Sequence, residues 1–509
     1  MQAQPSLVEY GSRRTLIVIG VMAATLLQVL DATIVNVALP TIQGNLGATL
    51  DEGTWIITGY IIAAVIVIPL TPWLQMRFGR AQYYVAAILG FTLTSALCGI
   101  SNSLWELVFF RVLQGFCGGG LIATGQAILR DTFPPEQIGR SQALISLGAV
   151  VGPSIGPTLG GILTDAYSWN WIFYINVLPG LLAAFLIATT LRNPAEPRKA
   201  AVDGVGLSLL ALGLGSLQYV LNEGERNDWF SDDKIVALSI TAIVSLAVFT
   251  WWELFGARHP IVDLRILRNR TVAAGCVLAL ALGFSLFGGI LLAPQFNQSI
   301  LGFTATLSGE SILIRALAIL AGTPLTLFML SRLKVNPRIL LASGFLIVTL
   351  SYVLQAQVTT STADFWTFWI PLALGGFGFS QLFVPLLVTV LSSVHGLDTA
   401  KASALISLSQ QLGGSISTAA VVTVLAQRDA WHYNALAQGV TLRNPAIAGL
   451  VQQGAHLGKI YQLVVQQAAT LAYADAFMMV GFVTLCLTPC VLLLRSRRTP
   501  AVAIQLPAE

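Results

Sequence analysis

A carboxylate interrupts the first long apolar stretch of the chain. Asp31 is the only formal charge between Thr15 and Leu39, in the run Leu30-Asp31-Ala32-Thr33-Ile34-Val35-Asn36-Val37-Ala38-Leu39-Pro40. A charge near mid-bilayer costs roughly 3 kcal/mol on insertion scales, so it persists where it faces protein or water and has a task. The simplest task for a titratable carboxylate in that setting is to carry a proton. Arg111, inside the fourth apolar stretch, is a second intramembrane charge. It either bonds to carbonyls and snorkels to an interface, or sets the charge of a nearby carboxylate. Gln114 lies one turn on and shares its face. Glu310 and Arg315 fall in the tenth stretch at a spacing of five, which makes them poor helix partners. Glu310 is near the outer end, either simply hydrated or a second proton or cation site. Gln28, three residues before Asp31, lies on the same helix face. With Asn36, Gln114, Arg315, Phe379 and Gln381 it is a candidate for lining a substrate cavity; Tyr60, Phe284 and Phe287 are weaker candidates. For the aromatics, packing or lipid contact is the plainer alternative.

These residues need a membrane-spanning scaffold to position them. The chain has 509 residues, 55% hydrophobic and 10% charged, with mean hydropathy +0.76; soluble domains carry about 25% charged residues. Only helices and closed barrels satisfy their backbone in lipid, and the period-two alternation of barrel strands is absent. The expected fold class is therefore an all-α polytopic membrane protein. A net charge of +4 with dispersed basic residues gives no support for nucleic-acid binding. Cys98, Cys117, Cys276, Cys486 and Cys490 all lie in apolar stretches, which argues for free thiols and against disulfides or a metal site. Arg13 and Arg14 precede an apolar run too long for a signal peptide, so the first span is expected to be retained.

Fourteen spans are predicted, near 15–39, 54–74, 82–100, 105–129, 141–163, 171–191, 205–221, 234–253, 271–293, 305–330, 339–356, 365–390, 402–425 and 474–494. With both termini placed in the cytoplasm, twenty of the 27 Lys and Arg residues fall inside, five outside, and Arg111 and Arg315 within spans. That asymmetry sets the orientation and supports the even count. The second span ends in Arg77-Phe78-Gly79-Arg80, and the tenth in Arg332-Leu333-Lys334, as a duplicated transporter would show. The organisation expected is a cytoplasmic N-terminus (1–14), a six-helix bundle (15–191), an inserted helix pair with its loops (192–270), and a second six-helix bundle (271–494). A cytoplasmic tail (495–509) follows. The second bundle contains an outside segment, 427–473, whose later half reads as an amphipathic helix with Leu457, Ile460, Tyr461 and Val464 on one face. It is either a surface helix or a docking element.

The fifth span carries Gly148, Gly152, Gly156 and Gly160 at a spacing of four, with Pro153 and Pro157 beside them. Small residues so spaced form a groove that admits another helix closely, and the prolines remove backbone hydrogen bonds. The segment Gly152-Pro153-Ser154-Ile155-Gly156-Pro157-Thr158-Leu159-Gly160-Gly161 resembles the antiporter motif of the major facilitator superfamily. The Asp31 run resembles the first-helix motif of its fourteen-span drug:proton antiporters of the EmrB/QacA type. Arg111-Val112-Leu113-Gln114-Gly115 resembles the fourth-helix motif, and Trp169 to Asn176 the entry to the sixth helix. The long outside segment is closer to the Gram-negative EmrB branch. One departure concerns the loop after the second helix. Arg77, Gly79 and Arg80 of its motif are present, but Met76 stands where the family has an aspartate, so a latch built on that acid lacks it.

The resemblance implies a major facilitator fold of two six-helix bundles plus two central helices. It implies proton-coupled export of amphiphilic toxic compounds across a bacterial inner membrane, with Asp31, Arg111 and Glu310 as proton-coupling residues and the fifth-span glycines as a conformational motif. A periplasmic membrane-fusion adaptor and an outer-membrane channel would be its partners, besides the lipid bilayer. No cofactor is implied, the proton being the coupling ion, and no catalytic residues. An uptake transporter for a small organic solute is the alternative. No HExxH, no phosphate-binding loop and no histidine cluster points to an enzyme or to direct use of ATP.

Overall fold

The computed structural model describes residues 8–134, 137–193, 203–257, 260–441 and 457–494. The tail at 495–509 and the middle of the 427–473 segment lie outside them. Among the described residues there is no strand, and twelve helices are long and apolar enough to cross a membrane. The other two expected spans, 141–163 and 402–425, fall on the long helices Ile138–Ala166 and Leu397–Gln438. The second of these is rich in Ser and Gln, including Ser407, Ser409, Gln410, Gln411 and Ser415, which lowers its hydropathy. A count of fourteen is compatible with this arrangement.

The first half is built from α1 (Gly11–Leu46), α2 (Trp55–Val67), α3 (Thr71–Phe78), α4 (Arg80–Ile100), α5 (Leu104–Gly118), α6 (Leu121–Thr132), α7 (Ile138–Ala166) and α8 (Val177–Thr190). An inserted pair follows, α9 (Gly204–Glu223) and α10 (Asp233–Trp251). The second half comprises α11 (Arg270–Ser299), α12 (Ala305–Ser331), α13 (Pro337–Val358), α14 (Trp369–Leu391), α15 (Leu397–Gln438) and α16 (Leu457–Leu487). Below, the side on which α1 begins is the basic face and the opposite side the far face.

Each half buries its own apolar core. Ile17, Val21, Tyr84, Phe91 and Ile187 pack together in the first half, with a second group around Ile34, Ile56, Leu107 and Phe173 nearer the far face. Leu278, Phe345, Phe379, Leu387 and Phe477 form the core of the second half. A further group joins Val65 of α2, Leu210 of α9, Phe249 of α10 and Leu405 of α15. The inserted pair therefore packs on both halves at once. Polar contacts repeat this on either side of α9: Thr58 donates to Glu223 at 3.2 Å and Gln218 donates to Ser415 at 2.8 Å.

Two helices overrun their expected ends. The first span was expected to stop at Leu39-Pro40, but α1 runs through Pro40 to Leu46 and ends at Gly47, whose φ of 63° suits glycine. Pro40 lies on an exposed face with Asn36, one turn earlier, so the lost backbone bond falls where the packing is open. The thirteenth span was expected to end near 425, but α15 continues to Gln438 because no glycine or proline interrupts the stretch after Gly414. The later half of the outside segment is likewise not a separate helix: it is the first part of α16. Ile460 and Ala468 face inward there, whereas Tyr461 is exposed and packs edge-on against Tyr433 of α15.

Candidate functional site

Four elements of the first half converge on Asp31. Its carboxylate is fully buried and so is the Arg111 guanidinium, 1% exposed. Arg111 donates through Nη1 to Asp31 Oδ2 at 2.6 Å and through Nε to the Ile56 carbonyl at 3.1 Å. Gln114 accepts from Arg111 Nη1 at 2.7 Å and donates to Asp31 Oδ1 at 2.9 Å. Asn176 donates to the same Oδ1 at 3.1 Å and to Ser95 at 3.0 Å. The Tyr60 ring covers the guanidinium with 4.2 Å from Cζ to its centroid, a cation–π contact in an apolar setting. Both carboxylate oxygens thus accept from donors, Oδ1 from two and Oδ2 from one.

Local sequence explains why these side chains meet. Gly115 and Gly119 let the end of α5 press on the α2 backbone; a Cβ at Gly119 would lie 2.6 Å from the Ala64 carbonyl. That close approach brings Tyr60 and Ile56 onto Arg111. The helix breaks at Gly119-Gly120 before α6, which leaves amide groups without intrahelical partners. Gln28 satisfies one of them, accepting from the Ile122 amide at 3.1 Å. Gln28, half-buried, therefore holds α1 to the start of α6.

The glycine stripe of α7 seats the helix that carries Asp31. A Cβ at Gly148 would stand 3.4 Å from Thr25, one at Gly152 2.8 Å from Val29, and one at Gly160 2.9 Å from the Ile34 carbonyl. Gly156 faces Thr33, also on α1. Pro153 has no described side-chain environment; Pro157 is half-buried and Gly161 buried on the same helix. On another face, Thr158 of α7 meets Gly309 of α12, so α7 touches both halves.

At the basic face, Gly79 adopts a φ of 87° and turns the chain sharply between α3 and α4. This places Arg80 beside Asp131, with Nη1 2.7 Å from Oδ2. Arg130 pairs with the same carboxylate at 2.8 Å and donates across to the second half, to the Val394 carbonyl, also at 2.8 Å. The acid missing at Met76 is matched here by Asp131, at the end of α6. Arg77, half-buried, lies on the last turn of α3.

The remaining candidates lie apart from Asp31. Asn36 is exposed on α1. Phe379 is enclosed in the second-half core, and Gln381 accepts from Ser343 at 2.5 Å. Glu310 is exposed, while Arg315 on the same helix is buried. Ser95 and Asn176 were not singled out as site residues in the sequence; Asn176 closes the sixth-helix motif, which was the available signal.

A bundle of two helical halves, with an ion pair sealed inside one of them, defines a membrane transporter. The pattern described as Major Facilitator Superfamily matches residues 21–418, and the chain belongs to that family. It is 36% identical to the multidrug export protein EmrB of Escherichia coli K12 over 89% of this chain and 88% of that protein. It is 33% identical to the fatty acid resistance protein FarB of Neisseria gonorrhoeae over 94% and 96% of the two chains. Among solved structures, the proton:xylose symporter XylE aligns over 92% of this chain and 95% of its own, with a TM-score of 0.57 at 12% identity. The human organic anion transporter MFSD10 aligns over 92% and 99%, with a TM-score of 0.56 at 14% identity. These two share the fold.

Proposed function

We propose that the protein is a proton-coupled exporter of amphiphilic toxic compounds, working by alternating access across a bacterial inner membrane. The observation that carries this reading is the sealed Asp31–Arg111 pair on the helix seated in the α7 stripe. Relatives named as multidrug export proteins support the direction and substrate class. In this reading the basic face and both termini are cytoplasmic. Asp31 takes a proton from outside as a donor withdraws, and Arg111 is released to its carbonyl and ring contacts. It returns the proton inside as the pair re-forms. No cofactor takes part. A proton crossing 100 mV supplies about 2.3 kcal/mol, enough for a gradient on the order of tens-fold in a neutral substrate. Asp31→Asn is expected to fold and insert yet lose proton-driven drug transport in reconstituted vesicles. Undiminished drug/proton exchange would falsify the assignment.

The long pair α15/α16 supports a periplasmic partner. At 1.5 Å per residue, the 42 residues of α15 reach about 63 Å, against a hydrocarbon core of about 30 Å. The surplus projects from the far face, where Asp475 of α16 accepts from Arg428 at 2.5 Å and lies 2.8 Å from His432, both on α15. This helical stalk is the proposed contact for a membrane-fusion adaptor and, through it, an outer-membrane channel. Deleting residues 430–470 is expected to abolish adaptor cross-linking while inner-membrane transport in vesicles persists; retained cross-linking would exclude the stalk.

A further inference from the structure

The second half holds a guanidinium with no counter-charge. Arg315 is 2% exposed, yet its Nε and Nη1 have no hydrogen-bond acceptor among the described residues. The first helix of this half presents Gly289 to it, where the first helix of the other half presents Asp31 to Arg111; a Cβ on Gly289 would stand 3.1 Å from Arg315 Nη1. Tyr352 of α13 adjoins the same glycine, and its hydroxyl proton is already donated to the Ser285 carbonyl. No Asp or Glu occurs in α11, α13 or α14, and Glu310, the one acid of α12, is exposed. Ser311 and Ser308 continue the Arg315 face of α12 toward the far side. Ser311 accepts from Asn297 at 2.8 Å, and the Ser308 hydroxyl is buried without a partner.

An unpaired guanidinium in an apolar interior is among the costliest groups a bundle can hold, and removing its partner from such a site is strongly destabilising. A planar oxyanion supplies the missing charge and the missing lone pairs together. We propose that Arg315, which packs against Gly289 and Tyr352, is the seat for the anionic head group, a carboxylate or similar oxyanion, of an amphiphilic substrate. This rests on the exporter reading and adds its substrate class. The seat is closed in this conformation, so the head group enters when the second half opens toward it.

The test is equilibrium binding to the full-length protein in nanodiscs, without any gradient, so that it stands apart from proton coupling and from the Asp31→Asn result. Decanoate, decanol and decyltrimethylammonium are the probes. Arg315→Gln is expected to weaken decanoate by about tenfold or more, a loss typical of one charge-assisted contact. Decanol and decyltrimethylammonium should change by less than about twofold on the same scale. Arg315→Lys, which keeps the charge but loses the planar fork, should restore part of the affinity. If Arg315→Gln does not fold, as judged by thermal melting, Arg315→Lys decides, with a loss of about twofold or more expected for decanoate alone. The proposal is overturned if wild type does not bind decanoate, if decanoate is unaffected, or if all three probes weaken alike. It is also overturned if chloride in place of gluconate raises the wild-type melting temperature through Arg315 while decanoate is indifferent to the substitution; the seat would then belong to an inorganic anion.

Discussion

Asp31 and Arg111 each offset much of the cost of burying the other. Removing one partner of a buried pair typically costs about 3–5 kcal/mol, whereas replacing both by neutral groups can be close to neutral. Arg111→Gln is therefore expected to lower the melting temperature more than the double variant Asp31→Asn/Arg111→Gln. Melting of the two proteins in detergent checks this, and an additive loss would mean that the 2.6 Å contact contributes little. The charges of this site were legible in the sequence because an ionised group in an apolar run has so few innocent explanations. Their neutral companions were not. Asn176 and Ser95 are ordinary polar residues of membrane helices until the fold brings them to the carboxylate. Gln28 shares the Asp31 face, and its partner, an amide freed by a helix break, is one that spacing alone does not reveal.

At the scale of elements, the α7 stripe makes graded demands along one helix. Gly148 leaves ordinary contact distance for a methyl group, whereas Gly160 faces the unyielding carbonyl of Ile34 at 2.9 Å. Gly148→Ala is expected to be neutral or to stabilise by up to about 1 kcal/mol through helix propensity. Gly160→Ala should destabilise by about 1–3 kcal/mol, since the backbone of α1 must move. Thermal melting of the two variants tests the gradient, which would vanish if the stripe only offered flexibility. The stripe itself was readable from its spacing; its occupant, the Asp31 helix, was not, because a small-residue groove does not encode which helix fills it. Helix ends were the least legible feature. Pro40 and the polar residues after 425 looked like terminators, but an open face and a helical partner carry both helices onward.

At the scale of the whole molecule, a charge cluster of the first half ties the basic face to a backbone carbonyl of the second. Asp131 draws Arg80 and Arg130 together, and Arg130 reaches Val394 across the divide. Asp131→Asn is expected to loosen that contact and lengthen the distances between spin labels at exposed Phe78 and Ser392. An unchanged distance distribution would remove this network from control of opening. Asp131 was hard to recognise in the sequence because acids at span ends are common, while the empty acid position at Met76 drew attention to the preceding loop. The two-half plan was easier to read, from duplicated basic turns and the count of apolar stretches. Where the extra helices sit was not readable, and their position has a further effect. The halves face the surrounding lipid along two lines, one beside α7 and α12, the other between α2 and α15. Since α9 and α10 pack over the second line, the bilayer touches the two seams unequally. A compound dissolved in the lipid meets a two-helix wall on one flank and, among the described residues, no such wall over the junction of α7 with α12 on the other, so the membrane around this transporter has a front and a back.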